Sequence, residues 1–170
     1  MIAKTMFNNH KIILITLLFS SLIALIFAYI SQYFFDLEPC ILCLHQRKPF
    51  FAITAISFLS LFFTKSEKLK RISIYICALL LIINVGIASY HVLVEKKIFK
   101  GPTTCSSQNL NEITNLEDLK IALSQTKAFR CDEPAFMFLA ISMAGWNLIY
   151  SFGLLVIIFY YIINIPRSKR

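Results

Sequence analysis

Four long apolar stretches alternate with shorter polar ones along the chain. The first, Ile12 to Ile30, carries no charge. A helix rising about 1.5 Å per residue crosses a bilayer core of about 30 Å over that length. The second stretch, from about Pro49 to Phe63, is short for a span on its own. A helix starting near Ile41 has the length, and puts Arg47 and Lys48 in its first turns at headgroup depth. Pro49 fits either a helix start or a kink in that longer helix. The third stretch, Ile72 to Val94, contains Asn84, Gly86 and His91. The fourth, Ala135 to Ile165, is uncharged and longer than one span needs. Trp146 suits an interfacial anchor, so the spanning helix is placed at about 145–163, with Phe136 to Met143 along the membrane surface.

These stretches predict an all-α membrane protein, an antiparallel four-helix transmembrane bundle in one domain over 1–170. The expected spans are about 12–30, 45–63, 72–94 and 145–163, with outer loops at about 31–44 and 95–144. Within the longer loop, Thr114-Asn115-Leu116-Glu117 has capping-box spacing. Ile113, Leu116, Leu119 and Leu123 then form one apolar face. A short surface helix resting on the membrane satisfies that pattern, and packing of the same helix against the bundle satisfies it equally.

Composition agrees with the membrane reading. The chain is 58% hydrophobic and 15% charged, with a mean hydropathy of +0.70. A net charge of +8 invites a nucleic-acid reading, but its distribution points elsewhere. Lys4, Lys11, Lys65, Lys68, Lys70, Arg71, Arg167, Lys169 and Arg170 share one side with a single acid, Glu67. The cations of the other side are balanced by acids. The surplus is therefore a positive-inside signal that places both termini in the cytoplasm, and no nucleic-acid partner is expected.

The cysteines carry the candidate chemistry. Cys77 lies mid-membrane and reads as a small buried apolar residue. Cys40, Cys43, Cys105 and Cys131 fall in or beside the outer loops, where disulfides are permitted. Three connectivities are possible; Cys40 with Cys43 is the natural local pair, which leaves Cys105 with Cys131. A CxxC at a helix start lowers a thiol pKa through the helix N-terminus and nearby cations, and Arg47 lies on the face of Cys43. Zinc is the bland alternative, with His45 as a further ligand; an oxidising compartment disfavours it, and no metal site is expected. Depth is the more specific clue: one pair sits in an outer loop within reach of a soluble partner, the other at the bilayer surface within reach of a lipid-dissolved oxidant. Two exchanging disulfides in series make an electron relay from water to membrane.

At this point the residues resemble a known family. Glu38-Pro39-Cys40-Ile41-Leu42-Cys43, followed by Arg47, is similar to the first periplasmic loop of the DsbB disulfide-formation proteins. Ser89-Tyr90-His91, Gly101-Pro102-Thr103-Thr104-Cys105, Cys131-Asp132-Glu133-Pro134 and Ser142-Met143-Ala144-Gly145-Trp146-Asn147 resemble the family's later segments. The resemblance implies a bacterial inner-membrane, quinone-dependent thiol oxidase. It makes Cys40, Cys43, Cys105 and Cys131 catalytic, with Cys43, Arg47 and His91 binding ubiquinone or menaquinone. It further implies that a DsbA-like thioredoxin-fold partner attacks Cys105, that Cys131 then exchanges with Cys40, and that Cys43 passes the electrons on. A vitamin K epoxide reductase-like relative is the nearer rival, although there the CxxC follows the loop pair. The remaining rival is a non-catalytic four-span scaffold stapled by two disulfides. Asn84 reads as helix–helix glue.

Overall fold

The computed structural model describes residues 10–102, 131–132, 134 and 136–164. Among them are four long helices: α1 (His10–Phe34), α2 (Ile41–Phe63), α3 (Glu67–Glu95) and α4 (Met143–Asn164). A two-stranded antiparallel ribbon, β1 (Met137–Phe138) and β2 (Ile141–Ser142), precedes α4. The expected surface helix around Ile113 to Leu123 lies outside the described residues.

Each helix packs on the next in sequence, and α1 also reaches α3 and α4. Leu14, Leu17, Leu25, Ile53, Ile74, Cys77, Leu81, Ile158 and Tyr161 make the shared core. The opposite faces carry bare apolar residues, among them Phe19, Phe27, Phe62, Leu79, Phe152 and Phe159. So much exposed apolar surface suits a lipid surround rather than water. Three helices, α1, α3 and α4, are long and apolar enough to cross a membrane. In α2 the polar run His45–Lys48 occupies the second turn and lowers the average.

Helix α2 begins at Ile41, and Pro49 lies inside it rather than at its start. The proline lacks the N–H that would bond the His45 carbonyl. Polar pairs knit the bundle internally: Asn84 Nδ2 donates to Ser151 Oγ at 2.8 Å between α3 and α4, and Ser21 meets Thr54 at 2.8 Å between α1 and α2. His10 bonds the Tyr161 hydroxyl. Cys77 is fully buried beside Ser57, as its apolar surroundings in the sequence suggest.

Helix ends set the depth of the site. α3 closes on a Schellman pattern: Lys97 N–H donates to the Val94 carbonyl and Ile98 N–H to Leu93, with Lys97 at φ 59° where glycine is usual. At α4, Ser142 Oγ accepts from Gly145 N–H at 3.1 Å and donates to Glu95 Oε2 at 2.5 Å. The segment expected to lie along the surface is thus a hairpin. Its turn places Leu139 (φ 52°) and Ala140 (φ 61°) in the left-handed region, and the Trp146 indole donates to the Phe138 carbonyl.

Candidate active site

Cys40 stands at the N-cap of α2 with extended backbone, and its Sγ accepts from the Cys43 N–H at 3.3 Å. The first turn of the helix then brings Cys43 Sγ within 3.1 Å of Cys40 Sγ. Both are free thiols. Unpaired N–H groups and the positive end of the helix dipole favour a thiolate here. Cys40 is held far below an ordinary thiol, at about 4. The chief cause is the hydrogen bond from Cys43; burial opposes it, and His91 reinforces it.

His91 reaches this pair from α3. Its Nε2 lies 3.5 Å from Cys40 Sγ and 3.8 Å from Glu95 Oε1, while Nδ1 meets Gln46 Nε2 at 2.9 Å. Asn147, on α4, donates to Gln46 Oε1 at 2.7 Å. Three helices therefore converge on one imidazole. His45 does not join them: it is exposed and bonds the Ile41 carbonyl of its own helix.

Arg47, one turn below Cys43, is pinned to α1. Its guanidinium donates to Gln32 Oε1 at 2.6 Å and to the Ala28 carbonyl at 3.2 Å, and lies 5.1 Å from the Tyr29 ring centre. Planar geometry with several donors lets Arg47 make these contacts and still face a cavity.

That cavity holds about 630 Å³ between α1, α2, α4 and the hairpin. Its walls are mostly apolar, with Phe27, Phe50, Phe138 and Trp146 among them. Cys40, Cys43, Gln46, Arg47, His91 and Glu95 supply a polar end. Size, apolar walls and few convergent polar groups fit a small, mostly apolar ligand.

On another side of Cys40 lies the second redox candidate. Cys131 is disulfide-bonded and buried, in one apolar cluster with Cys40, Leu42 and Val94. Cys105, its expected partner, lies outside the described residues. Of the residues singled out in the sequence, the fold thus gathers Cys40, Cys43, Arg47, His91 and Cys131. Gln32, Gln46, Glu95 and Asn147 were missed. Their one sequence signal was polarity within or beside apolar runs.

Comparison with known proteins follows the same outline. A family model described as "Disulfide bond formation protein DsbB" matches residues 10–161. An uncharacterized protein of Rickettsia prowazekii is 31% identical over 168 residues, covering 96% of this chain and 93% of that one. Disulfide bond formation protein B of Acinetobacter baylyi is 27% identical over 145 residues, 84% of each chain. Its counterpart from Blochmanniella floridana is 40% identical over 60 residues, covering 35% of this chain and 34% of its own.

Proposed function

The chain belongs to the DsbB family of disulfide bond formation proteins, and from that membership we propose that it is a quinone-dependent thiol oxidase of the bacterial inner membrane. In this reading all four helices cross the bilayer in alternating directions, with both termini in the cytoplasm, which the distribution of Lys and Arg supports. The cysteines then face the periplasm.

The observation that carries this reading is the position of Cys40 between two neighbours. On one side is the buried, disulfide-bonded Cys131; on the other is a cavity lined by Cys43 and Arg47. Electrons enter when a thiolate of a reduced DsbA-like protein attacks Cys105 of a Cys105–Cys131 disulfide, forming a mixed disulfide and releasing Cys131 as thiolate. Cys131 attacks Cys40 of the oxidised CxxC, making a Cys40–Cys131 bond and releasing Cys43. The partner's second thiolate then attacks its own sulfur in the mixed disulfide, leaves oxidised, and frees Cys105. Cys105 in turn displaces Cys40 from Cys131, restoring the loop disulfide and leaving Cys40 and Cys43 reduced. A bound quinone, ubiquinone or menaquinone, supplies a two-electron, two-proton acceptor.

This chain's own residues prepare that last transfer. The first turn of the helix and His91 hold charge on Cys40, so a reactive thiolate is present there at neutral pH. Arg47 offers positive charge where negative charge develops, and the bonds to Gln32 and Ala28 keep it there. The apolar walls exclude water.

The test uses purified protein in detergent with a ubiquinone or menaquinone analogue and a reduced DsbA-type protein, following quinone absorbance. Quinone reduction by the wild type and its loss in Cys43→Ser is the expected result. No reduction with either analogue, together with disulfides that resist the partner, would overturn the proposal in favour of a stapled scaffold.

A further inference from the structure

A line of polar side chains runs through the apolar bundle from the middle of α3 to Cys40. Asn84 Nδ2 donates to Ser151 Oγ at 2.8 Å. The Ser151 hydroxyl in turn donates to Asn147 Oδ1 at 3.4 Å. Asn147 Nδ2 donates to Gln46 Oε1 at 2.7 Å, and Gln46 Nε2 meets His91 Nδ1 at 2.9 Å. Asn84, Ser151, Gln46 and His91 are all buried.

Such a line has a direction. Each amide has a donor end and an acceptor end, so one orientation sets the next. With Gln46 oxygen engaged by Asn147, the Gln46 amino group faces His91 Nδ1. Nδ1 is then an acceptor, and the proton of a neutral imidazole sits on Nε2. Nε2 is the atom that faces Cys40 Sγ and Glu95 Oε1.

The opposite direction is also geometrically closed, and two features disfavour it. Reversal would set a bare Nε2 against a thiolate and a carboxylate. It would also change the far end of the line. There, Asn84 Oδ1 is a buried oxygen with no partner. Reversal would exchange that orphan carbonyl for an orphan amino group, and unpaired buried N–H groups are the rarer case, as they are along the backbone. We propose that Asn84, Ser151, Asn147 and Gln46 are positioning residues, a polarised line that holds His91 in its Nε2–H tautomer so that it donates to the Cys40 thiolate. The inference rests on reading Cys40 as half of the redox pair. Among the described residues, the other charged or titratable groups that share the cavity or the apolar cluster with that sulfur are Cys43 and Arg47 of α2, Tyr90 and Glu95 of α3, Tyr150 of α4 and Glu38 of the preceding loop.

The test needs neither quinone nor partner, so its failure is separate from failure of the oxidase reading. Reduced protein carrying ring-15N histidine has three imidazoles, His10, His45 and His91, and the His91 signals are those missing in His91→Asn. In the wild type, His91 is expected to be protonated at Nε2 and bare at Nδ1. Asn147→Leu cuts the line next to Gln46. It should weaken the Nε2 preference, leaving only the pull of the Cys40 thiolate and Glu95, and raise the pH midpoint of Cys40 alkylation by up to about one unit, the effect of one hydrogen bond to a charged group. Ser151→Ala cuts one link further out with a smaller change of shape and serves if Asn147→Leu does not fold. Ser151→Thr keeps a hydroxyl and should keep the wild-type signature. Protonation at Nδ1 in the wild type, or unchanged tautomer and alkylation in the cut variants, would overturn the proposal.

Discussion

The state of Cys40 is the most exposed consequence of the site geometry. An ordinary thiol near 9.0 is about 1% ionised at pH 7, and its alkylation rate climbs about tenfold per pH unit from 5 to 8. Cys40, held at about 4, is ionised throughout that range. Its alkylation in the reduced protein should therefore be flat from pH 5 to 8 and fall only as pH drops through about 4. The sign follows from the cause: contacts that favour the charged form push the titration down. Cys43→Ala removes the largest of them, the hydrogen bond between the two sulfurs. His91→Leu removes a weaker one, at 3.5 Å. A hydrogen bond to a charged group contributes roughly 1.5–3 kcal/mol, or about one to two pH units. Both variants should move the fall to higher pH, Cys43→Ala further than His91→Leu. Timed iodoacetamide labelling, with the modified cysteine located by mass spectrometry, reads the profile. A wild-type rate that climbs tenfold per unit through pH 6–8 would refute the reasoning. So would a larger shift in His91→Leu than in Cys43→Ala.

Other outcomes follow from the same contacts. Arg47→Leu should lower kcat/KM for the quinone by roughly 100-fold, the usual loss when a preorganised charge is removed. Arg47→Lys should recover only part of it, because an ammonium lacks the fork that spans Gln32 and Ala28; quinone titrations at saturating partner measure both. Leu139→Gly relieves a left-handed leucine at φ 52° that is 72% exposed, and should stabilise the protein by about 1 kcal/mol, seen as a higher Tm in detergent. Gly145→Ala should lower Tm by an amount equivalent to about 1 kcal/mol, because the added Cβ would lie 2.7 Å from the Ile141 Cγ2 methyl, whose side chain must shift to make room.

How much of this was legible beforehand differs between fold and site. Apolar runs of spanning length identify helices directly, because a bilayer leaves the backbone few other ways to satisfy its hydrogen bonds. The expected third helix, 72–94, lies within Glu67–Glu95, and the fourth, 145–163, within Met143–Asn164. The second was harder to bound, since Pro49 permits two starts and only the N-cap at Cys40 decides between them. The hairpin of 137–142 gave no signal: its turn holds Leu139 and Ala140 where hairpin turns favour Asn or Gly.

The candidate site divides along the same line. Local chemistry is written locally, so the CxxC, its place at the head of a helix and an arginine one turn on were all readable from neighbours in the chain. Partnerships between helices were not. Helical periodicity says which residues share a face, but how far each helix is rotated and at what depth it meets the next is set by packing of the whole bundle. Only the assembled helices bring His91 to Cys40, Gln32 to Arg47, and Asn147 to Gln46 across 101 positions of sequence. The composition of the chain thus dictated a membrane bundle with thiols at its rim, whereas the environment that tunes one of those thiols exists only where three helices meet.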